Sequence, residues 1–181
     1  MSLVTFLLMI LCTINYVIGR VQYSTGIVKN IVDGDTLKVE ENSRSNSPHS
    51  KLTIRLICID APEKSQHKWG RSSTQALRKY IPIGSVVRMK IYSKDIYGRN
   101  LVEVCDQQGH NIALRLLRDG MAVLYPHRDR NACGKQYSEA ENNAKALNLG
   151  VWSDPNFVHP SRYKKNMRKA KRNKSKKRNN S

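Results

Sequence analysis

Runs of β-branched and apolar residues in the middle of the chain predict five short strands. They cover residues 25–31, 36–40, 51–59, 86–92 and 101–105. Asp33 and Gly34 separate the first two runs, and an Asp-Gly pair is typical of a tight hairpin turn. The polar segment 41–50, which contains Pro48, predicts a solvated loop before the third strand.

Apolar residues at helical spacing predict three helices, over residues 71–81, 112–119 and 137–149. Asn111 can cap the second helix, and Gly120 and Gly150 follow the ends of the second and third. Five strands and three helices indicate a small α+β domain. We expect a closed or nearly closed five-stranded β-barrel, because closure leaves fewer exposed strand edges.

The first 19 residues predict a targeting segment. Residues 3–11 are almost continuously apolar, and no charge precedes Arg20. Val17 and Gly19 fit the small-residue positions before a signal-peptidase cut, so we expect a signal peptide over residues 1–19 and a secreted or periplasmic protein. The alternative is an uncleaved membrane anchor, since the apolar segment nearly reaches the length of a spanning helix.

Positive charge is concentrated at the C-terminal end. The 181 residues carry a formal net charge of +18, from 32 Lys and Arg against 14 Asp and Glu. Residues 162–181 hold 11 of these basic residues and no acidic one, which leaves +7 for residues 1–161. We therefore expect a domain over residues 20–161 and a tail over 162–181 that is disordered when unbound and contacts a polyanion.

The cysteines show no metal-binding or redox spacing. Cys12 would leave with the signal peptide, and Cys58 lies in an apolar run that predicts a buried thiol. Cys105 and Cys133 are the candidates for a disulfide in an oxidising compartment, although the sequence does not establish the pairing.

Acids and arginines cluster in three segments beside predicted turns. The first segment contains Asp33 and Asp35, the second contains Arg55, Asp60 and Glu63, and the third contains Arg99. Taken alone, the first and third segments are more typical of turns than of active sites. For Arg55 and Asp60 to share one site, the strand between them must bulge or end near Ile59.

Together these segments supply the groups that metal-assisted attack on a phosphodiester requires. A hard divalent cation prefers oxygen ligands, which Asp35, Asp60 and the Ala61 carbonyl can provide. Two guanidinium groups can grip phosphate oxygens in bidentate fashion, which lysine does poorly. Glu63 can accept a proton from the attacking water or orient that water.

Other kinds of active site are not supported. The five histidines are scattered, with neither an H-E-x-x-H motif nor Cys/His zinc spacing. The chain contains no glycine-rich phosphate loop and no G-x-S-x-G elbow. The sequence therefore argues against a zinc enzyme, a nucleoside triphosphatase and a serine hydrolase.

Four ordered motifs, IVDGDT, RLICIDAPE, DIYGR and AENNAKALNLGVW, resemble the staphylococcal nuclease-like (thermonuclease) family. The resemblance spans residues 25–152. It implies an OB-fold barrel of five strands with three helices. It also implies a Ca²⁺-dependent phosphodiesterase acting on DNA and RNA, in which water attacks phosphorus, the 5′-oxygen leaves and products end in 3′-phosphate.

The resemblance also implies roles for individual residues. It implies that Asp35, Asp60 and the Ala61 carbonyl bind the metal, with Asp33 as an acid beyond the directly bound ligands. It implies that Arg55 and Arg99 bind phosphate and that Glu63 is the proposed base. Tyr97 would help to hold the nucleotide, and Tyr125 would either stack on a base or have an ordinary packing role. This chain departs from the best-studied member in having Ala at position 61, a longer polar 41–50 loop, cysteines and a basic tail. The Ala at position 61 should not affect metal binding, because a main-chain carbonyl ligand needs no particular side chain.

Two other functions remain open at this point. A catalytically inactive member of the fold would bind nucleic acid or protein, but such members typically lose the acids or arginines. A secreted protein acting through its charge alone would leave the ordered acids unexplained. We therefore expect a monomeric, sequence-tolerant nuclease without an obligate protein partner, whose tail adds phosphate contacts and salt dependence.

Overall fold

The structure of the chain is a computed structural model that describes residues 22–42, 50–126 and 132–179. Its strands are β1 (Gln22–Ile31), β2 (Thr36–Glu41), β3 (Ser50–Leu56), β4 (Ile59–Asp60), β5 (Val86–Lys94), β6 (Asn100–Cys105) and β7 (Val123–Leu124). Its helices are α1 (His67–Tyr80), α2 (Ile112–Arg118), α3 (Lys135–Ala146) and α4 (Pro160–Asn179), with a 3₁₀ turn over Gly150–Ser153.

Five strands close into a barrel in the order β1-β2-β3-β6-β5, which confirms the predicted architecture. The pairs are antiparallel except β3 with β6, which is parallel. The apolar positions that predicted the strands fill the interior, where Val28, Leu37, Ile54 and Val102 are fully buried. Each such side chain contributes about 1.5–3 kcal/mol to folding through removal of apolar surface from water.

The predicted third strand, 51–59, divides at a turn. Strand β3 ends at Leu56, and Cys58 takes a positive φ of 73°, a conformation that few non-glycine residues adopt. The chain then pairs with β7 as the short strand β4, outside the barrel. Tyr125 N–H donates to the Cys58 carbonyl at 2.9 Å and holds the turn. This break brings the residues after the turn back towards Arg55.

The basic tail forms helix α4 over most of its length, where the sequence predicted a segment that is disordered when unbound, and the described residues hold four helices where three were predicted. Lysine, arginine, alanine and methionine are good helix formers. The first turns of α4 are also anchored to the domain, where Tyr163 Oη donates to the Ser65 carbonyl at 3.0 Å. Just before the helix, the Val158 carbonyl accepts a hydrogen bond from Gln66 Nε2 at 2.8 Å.

The disulfide joins Cys58 to Cys133, so the buried free thiol predicted for Cys58 was wrong, and the candidate pairing of Cys105 with Cys133 is not the one formed. Cys105 has a free thiol. The turn after β3 carries Cys58 to the segment that leads into α3, whereas Cys105 ends strand β6. A disulfide requires Cα atoms about 4.4–6.8 Å apart, and those of Cys58 and Cys133 are separated by 5.6 Å.

The predicted signal peptide and most of the 41–50 loop lie outside the described residues. Within residues 22–42, 50–126 and 132–179, no helix combines the length and the apolar character that crossing a bilayer requires.

Candidate active site

The loop between β1 and β2 presents Asp35 to the site. The loop is closed by hydrogen bonds from Val32 N–H and Asp33 N–H to the Thr36 carbonyl, at 2.8 and 3.2 Å. Gly34 is needed here for space, because a Cβ would overlap the Ser73 side chain of α1. The Asp-Gly-Asp sequence therefore reflects a close approach of the loop to α1 as well as a turn.

Arg55 lies between two buried carboxylates. It stands opposite Thr36 in the β2–β3 pair, which places it next to Asp35. Its Nη2 donates to Asp60 Oδ1 at 2.8 Å, and its Nη1 forms an ion pair with Asp35 Oδ2 without the alignment of a hydrogen bond. The turn after β3 thus brings together Asp35, Arg55 and Asp60, as the sequence predicted.

Main-chain and hydroxyl donors hold Asp35 in place. Ala61 N–H donates to Asp35 Oδ2 at 2.6 Å, and Thr36 Oγ1 donates to Asp35 Oδ1 at 3.0 Å. Burial favours the neutral carboxyl, but the Arg55 guanidinium and the Ala61 N–H hold the pKa of Asp35 below its ordinary value. Asp35 is therefore an anion at neutral pH, although it is buried.

Asp33 faces its own loop, where its Oδ1 accepts a hydrogen bond from Asp35 N–H at 3.1 Å. Burial and the neighbouring Asp35 carboxylate raise the pKa of Asp33 to about 6. The structure therefore places the Asp33 carboxyl next to the main chain of Asp35.

A tight turn between β5 and β6 orients Arg99. Asp95 Oδ1 accepts hydrogen bonds from Tyr97 N–H and Arg99 N–H, each at 2.9 Å, and its Oδ2 accepts one from Arg99 Nε at 2.7 Å. Gly98 supplies the positive φ of 77° that the turn requires. Thr36 Oγ1 lies 3.5 Å from Arg99 Nη1, so this arginine reaches the same site as Asp35.

Glu63 lies at the start of the segment leading to α1, where its Oε1 is 3.0 Å from Lys164 Nζ. Its main chain is held by Gln66, whose Oε1 accepts from Glu63 N–H at 2.9 Å and whose N–H donates to the Glu63 carbonyl at 2.7 Å. The Glu63 side chain is 39% exposed, which leaves it open to solvent. This position suits a residue that handles a water proton.

Tyr97 and Tyr125 line the cavity that opens onto Arg55, Asp60 and Arg99. Its volume is about 780 Å³. Tyr97 is largely exposed, and the Arg99 guanidinium lies 5.6 Å from its ring centroid. Tyr125 is partly exposed at the cavity wall, as a base-stacking role requires. A second cavity, of about 630 Å³, lies against β1, β5 and β6 and contains none of the predicted site residues.

Lys164 contacts the acids of the site directly, and the sequence did not predict this contact. It reaches the cluster from α4, where its Nζ lies 2.9 Å from Asp60 Oδ1. Burial would lower the pKa of Lys164, but Asp60 and Glu63 raise it above its ordinary value. The sequence held no signal for this contact, because Lys164 is one of 11 similar residues in the tail.

Two buried polar atoms of the site have no hydrogen-bond partner among the described residues. They are Asp60 Oδ2 and Arg55 Nη1, although Arg55 Nη1 keeps its ion pair with Asp35 Oδ2. Unpartnered buried polar atoms in native proteins commonly mark the place of a missing ion or ligand. A carboxylate oxygen such as Asp60 Oδ2 suits a hard cation. The residues present therefore fit a divalent cation beside Asp60.

The acids do not form a metal centre by themselves. Within the part of the chain that the structure describes, no three or more His, Cys, Asp or Glu side chains converge closely enough to hold a metal ion. A cation here would complete its coordination with main-chain oxygen and water, as Mg²⁺ and Ca²⁺ commonly do.

Comparison with known proteins connects this site to one family. The family model for staphylococcal nuclease homologues matches residues 53–154. The chain is 34% identical over 158 residues to an uncharacterized endonuclease of Haemophilus influenzae, covering 87% of this chain and 82% of that protein. It is 31% identical over 148 residues to micrococcal nuclease of Shigella flexneri, covering 77% of this chain and 80% of that protein. The chain therefore belongs to the family of staphylococcal nuclease homologues.

Proposed function

We propose that this protein is an endonuclease that hydrolyses phosphodiester bonds of DNA and RNA with the help of Ca²⁺. The observation that carries the proposal is the buried position of Arg55 between Asp35 and Asp60, with Asp60 Oδ2 left without a hydrogen-bond partner among the described residues. A protein that only bound nucleic acid would gain little from two buried carboxylates beside its arginines, because negative charge there weakens the attraction for phosphate.

Asp35, Asp60 and the Ala61 carbonyl are the residues that would hold the cation. When bound, a divalent cation supplies Lewis-acid polarisation of the phosphate and lowers the pKa of a bound water. Oxygen ligands with a flexible geometry favour Ca²⁺, because Mg²⁺ demands a near-ideal octahedron.

The arginines and Glu63 supply the remaining chemistry. Arg55 and Arg99 donate to the phosphate oxygens, on which charge increases as water adds. Glu63 takes a proton from that water as its oxygen bonds to phosphorus. The bond from phosphorus to the 5′-oxygen breaks and that oxygen takes a proton from solvent, which leaves 3′-phosphate and 5′-hydroxyl ends. Tyr97 and Tyr125 hold a nucleotide beside the phosphate through their rings.

Export is a further part of the proposal. The disulfide between Cys58 and Cys133 supports it, since disulfides persist mainly in oxidising compartments. The apolar first 19 residues are the expected signal for that route.

The experiment is incubation of the purified protein with plasmid DNA and with RNA, in Ca²⁺ and in excess EGTA, followed by analysis of the termini. We expect cleavage of both substrates in Ca²⁺ only, with 3′-phosphate and 5′-hydroxyl ends. Cleavage that persists in EGTA, or the opposite set of termini, would contradict the proposed chemistry.

A further inference from the structure

Helix α4 brings an ammonium group into the carboxylate cluster. Lys164 Nζ lies 2.9 Å from Asp60 Oδ1 and 3.0 Å from Glu63 Oε1. It therefore contacts both a proposed cation ligand and the proposed base. The Lys164 side chain is 35% exposed, whereas that of Asp60 is 1% exposed. The ammonium thus approaches a buried anion from the open side of the site.

Contacts on either side of Lys164 seat α4 over the cavity. Tyr163 Oη donates to the Ser65 carbonyl at 3.0 Å. One turn further on, Arg168 Nη2 lies 3.4 Å from Tyr97 Oη, and both residues line the same cavity as Asp60. Lys164 and Arg168 line this cavity together with Arg99. The position of Lys164 is therefore set by the docking of its helix.

Lys164 and a divalent cation would compete for the same oxygen. Asp60 Oδ1 already accepts from Arg55 Nη2 at 2.8 Å and from Lys164 Nζ at 2.9 Å. A third positive charge at this carboxylate would meet strong repulsion, because the buried surroundings screen charges poorly. The Arg55 side chain is only 10% exposed, whereas Lys164, at 35% exposed, can turn out to solvent on its flexible stem.

We propose that Lys164 is an intramolecular counter-ion of the carboxylate cluster, which a divalent cation must displace in order to bind. This inference rests on the function proposed above and adds a means of regulating cation binding at the same site. Displacement frees the Glu63 carboxylate from its ion pair and opens the side of the cavity that α4 covers. The tail helix therefore sets the cation concentration at which the site becomes competent.

Calorimetric titration of Ca²⁺ into the purified protein without nucleic acid tests the proposal. We expect Lys164→Met to bind Ca²⁺ at least about tenfold more tightly than the parent, since one neighbouring charge typically shifts such an equilibrium by a factor of about ten or more. Lys164→Arg keeps the charge and should stay near the parent affinity. Lys169→Met removes the same charge from an exposed position on the same helix and is the matched control.

Equal affinities of Lys164→Met and Lys169→Met would overturn the proposal, as would weaker binding by Lys164→Met. Circular dichroism establishes that each variant is folded, and Lys164→Gln is a second neutral variant should the first be destabilised. Binding is measured apart from cleavage, so the two proposals can fail separately. Tighter Ca²⁺ binding by Lys164→Met without any cleavage of nucleic acid would support the counter-ion role and contradict the proposed nuclease activity. Cleavage together with equal Ca²⁺ affinities of the two Met variants would support the nuclease activity and contradict the counter-ion role.

Discussion

Arg55 connects the two acids of the site, and its chemistry cannot be replaced by charge alone. Its guanidinium reaches Asp35 with one nitrogen and Asp60 with the other. Removing the guanidinium would leave two buried carboxylates without compensation, and breaking a buried ion pair typically costs about 3–5 kcal/mol of stability. A substitution that retains the charge therefore separates catalysis from folding.

Arg55→Lys should lower kcat by about 10²–10³, because a lysine cannot donate to two oxygens of the phosphate in a fixed plane. Initial rates on a fluorescent oligonucleotide in Ca²⁺ measure the effect. Arg78→Lys, at an exposed position on α1, is the matched control and should leave kcat unchanged. A rate within a few-fold of the parent would show that Arg55 does not act on the phosphate.

At the scale of residues, the sequence could predict those site residues whose chemistry requires one particular residue type. The sequence predicted that Asp35, Arg55 and Asp60 lie together because the three segments jointly supply oxygen ligands and planar donors, and the structure brings these side chains into contact. The contact made by Lys164 was not predictable, because its residue type is common in the tail. Its role follows from where helix α4 docks.

At the scale of elements, the site depends on loops that approach neighbouring elements closely. Gly34 lets the β1–β2 loop pack on α1, where a Cβ would meet the Ser73 side chain and Ala61 Cβ. Both neighbours lie in packed surroundings, since Ser73 and Ala61 are buried. A larger residue at position 34 must therefore move the loop that carries Asp35.

Gly34→Ala should destabilise the protein by about 1–3 kcal/mol, the usual effect of overpacking, and should weaken Ca²⁺ binding because Asp35 shifts. Urea unfolding and calorimetry measure the two effects. Adding Ser73→Ala removes one of the overlapping atoms and should restore part of each. If Gly34→Ala alone has no effect on either quantity, the close packing of this loop is not needed.

The disulfide fixes the turn that separates β3 from β4. It joins Cys58 to Cys133 across a sequence separation of 75 residues. Cys133→Ala should lower the free energy of unfolding by about 2–5 kcal/mol, because the unfolded chain regains freedom. Urea titration measures this loss, and Cys105→Ala is the control with a free thiol. Equal losses in the two variants would contradict a structural role for the disulfide.

The strands of the barrel were predictable from their apolar patterns, but two features of the elements were not. The break after Leu56 falls within the apolar run 54–59, which contains neither Gly nor Pro to signal a turn. The partner of Cys58 follows from that break and so was missed with it. The helix over the tail was missed because its composition alone favours disorder, whereas its first turns are held by contacts with the domain.

At the scale of the whole molecule, the net charge of +18 is unevenly divided between the domain and α4. The part of α4 nearest the site, with Lys164 and Arg168, contacts the domain. Beyond it, residues 172–181 carry a further five basic residues. This distal part is the one expected to contact phosphates outside the cleavage site.

Deleting residues 172–181 should reduce the salt dependence of DNA binding without removing cleavage. The slope of log K against log salt should fall in magnitude by about 0.9 for each phosphate that the tail no longer neutralises. Fluorescence anisotropy in excess EGTA measures binding without degradation. A variant with the five basic residues changed to Gln keeps the length of the tail and should behave like the deletion. An unchanged slope would show that this part of the tail does not bind the substrate.

The assembly of the site was predictable at this scale because strand pairing in the closed barrel brings the three motif segments together. Pairing of β2 with β3 places Thr36 opposite Arg55, and pairing of β3 with β6 places Arg55 opposite Leu101, two residues after Arg99. The closing of the barrel thus gathers the three segments. The position of α4 across the open side was not predictable, since no strand pairing determines it.

The central claim, a metal-assisted site around Asp60, is tested most directly by the single-turnover rate of oligonucleotide cleavage in Ca²⁺ by Asp60→Asn. This change keeps the shape of the side chain and removes the charge that both the cation and Arg55 require. Glu139→Gln, at an exposed position on α3, removes one acidic charge elsewhere and is the control. We predict a loss of about 10³ or more for Asp60→Asn and none for Glu139→Gln. Rates within a few-fold of the parent for both variants would contradict a metal-assisted site at this position.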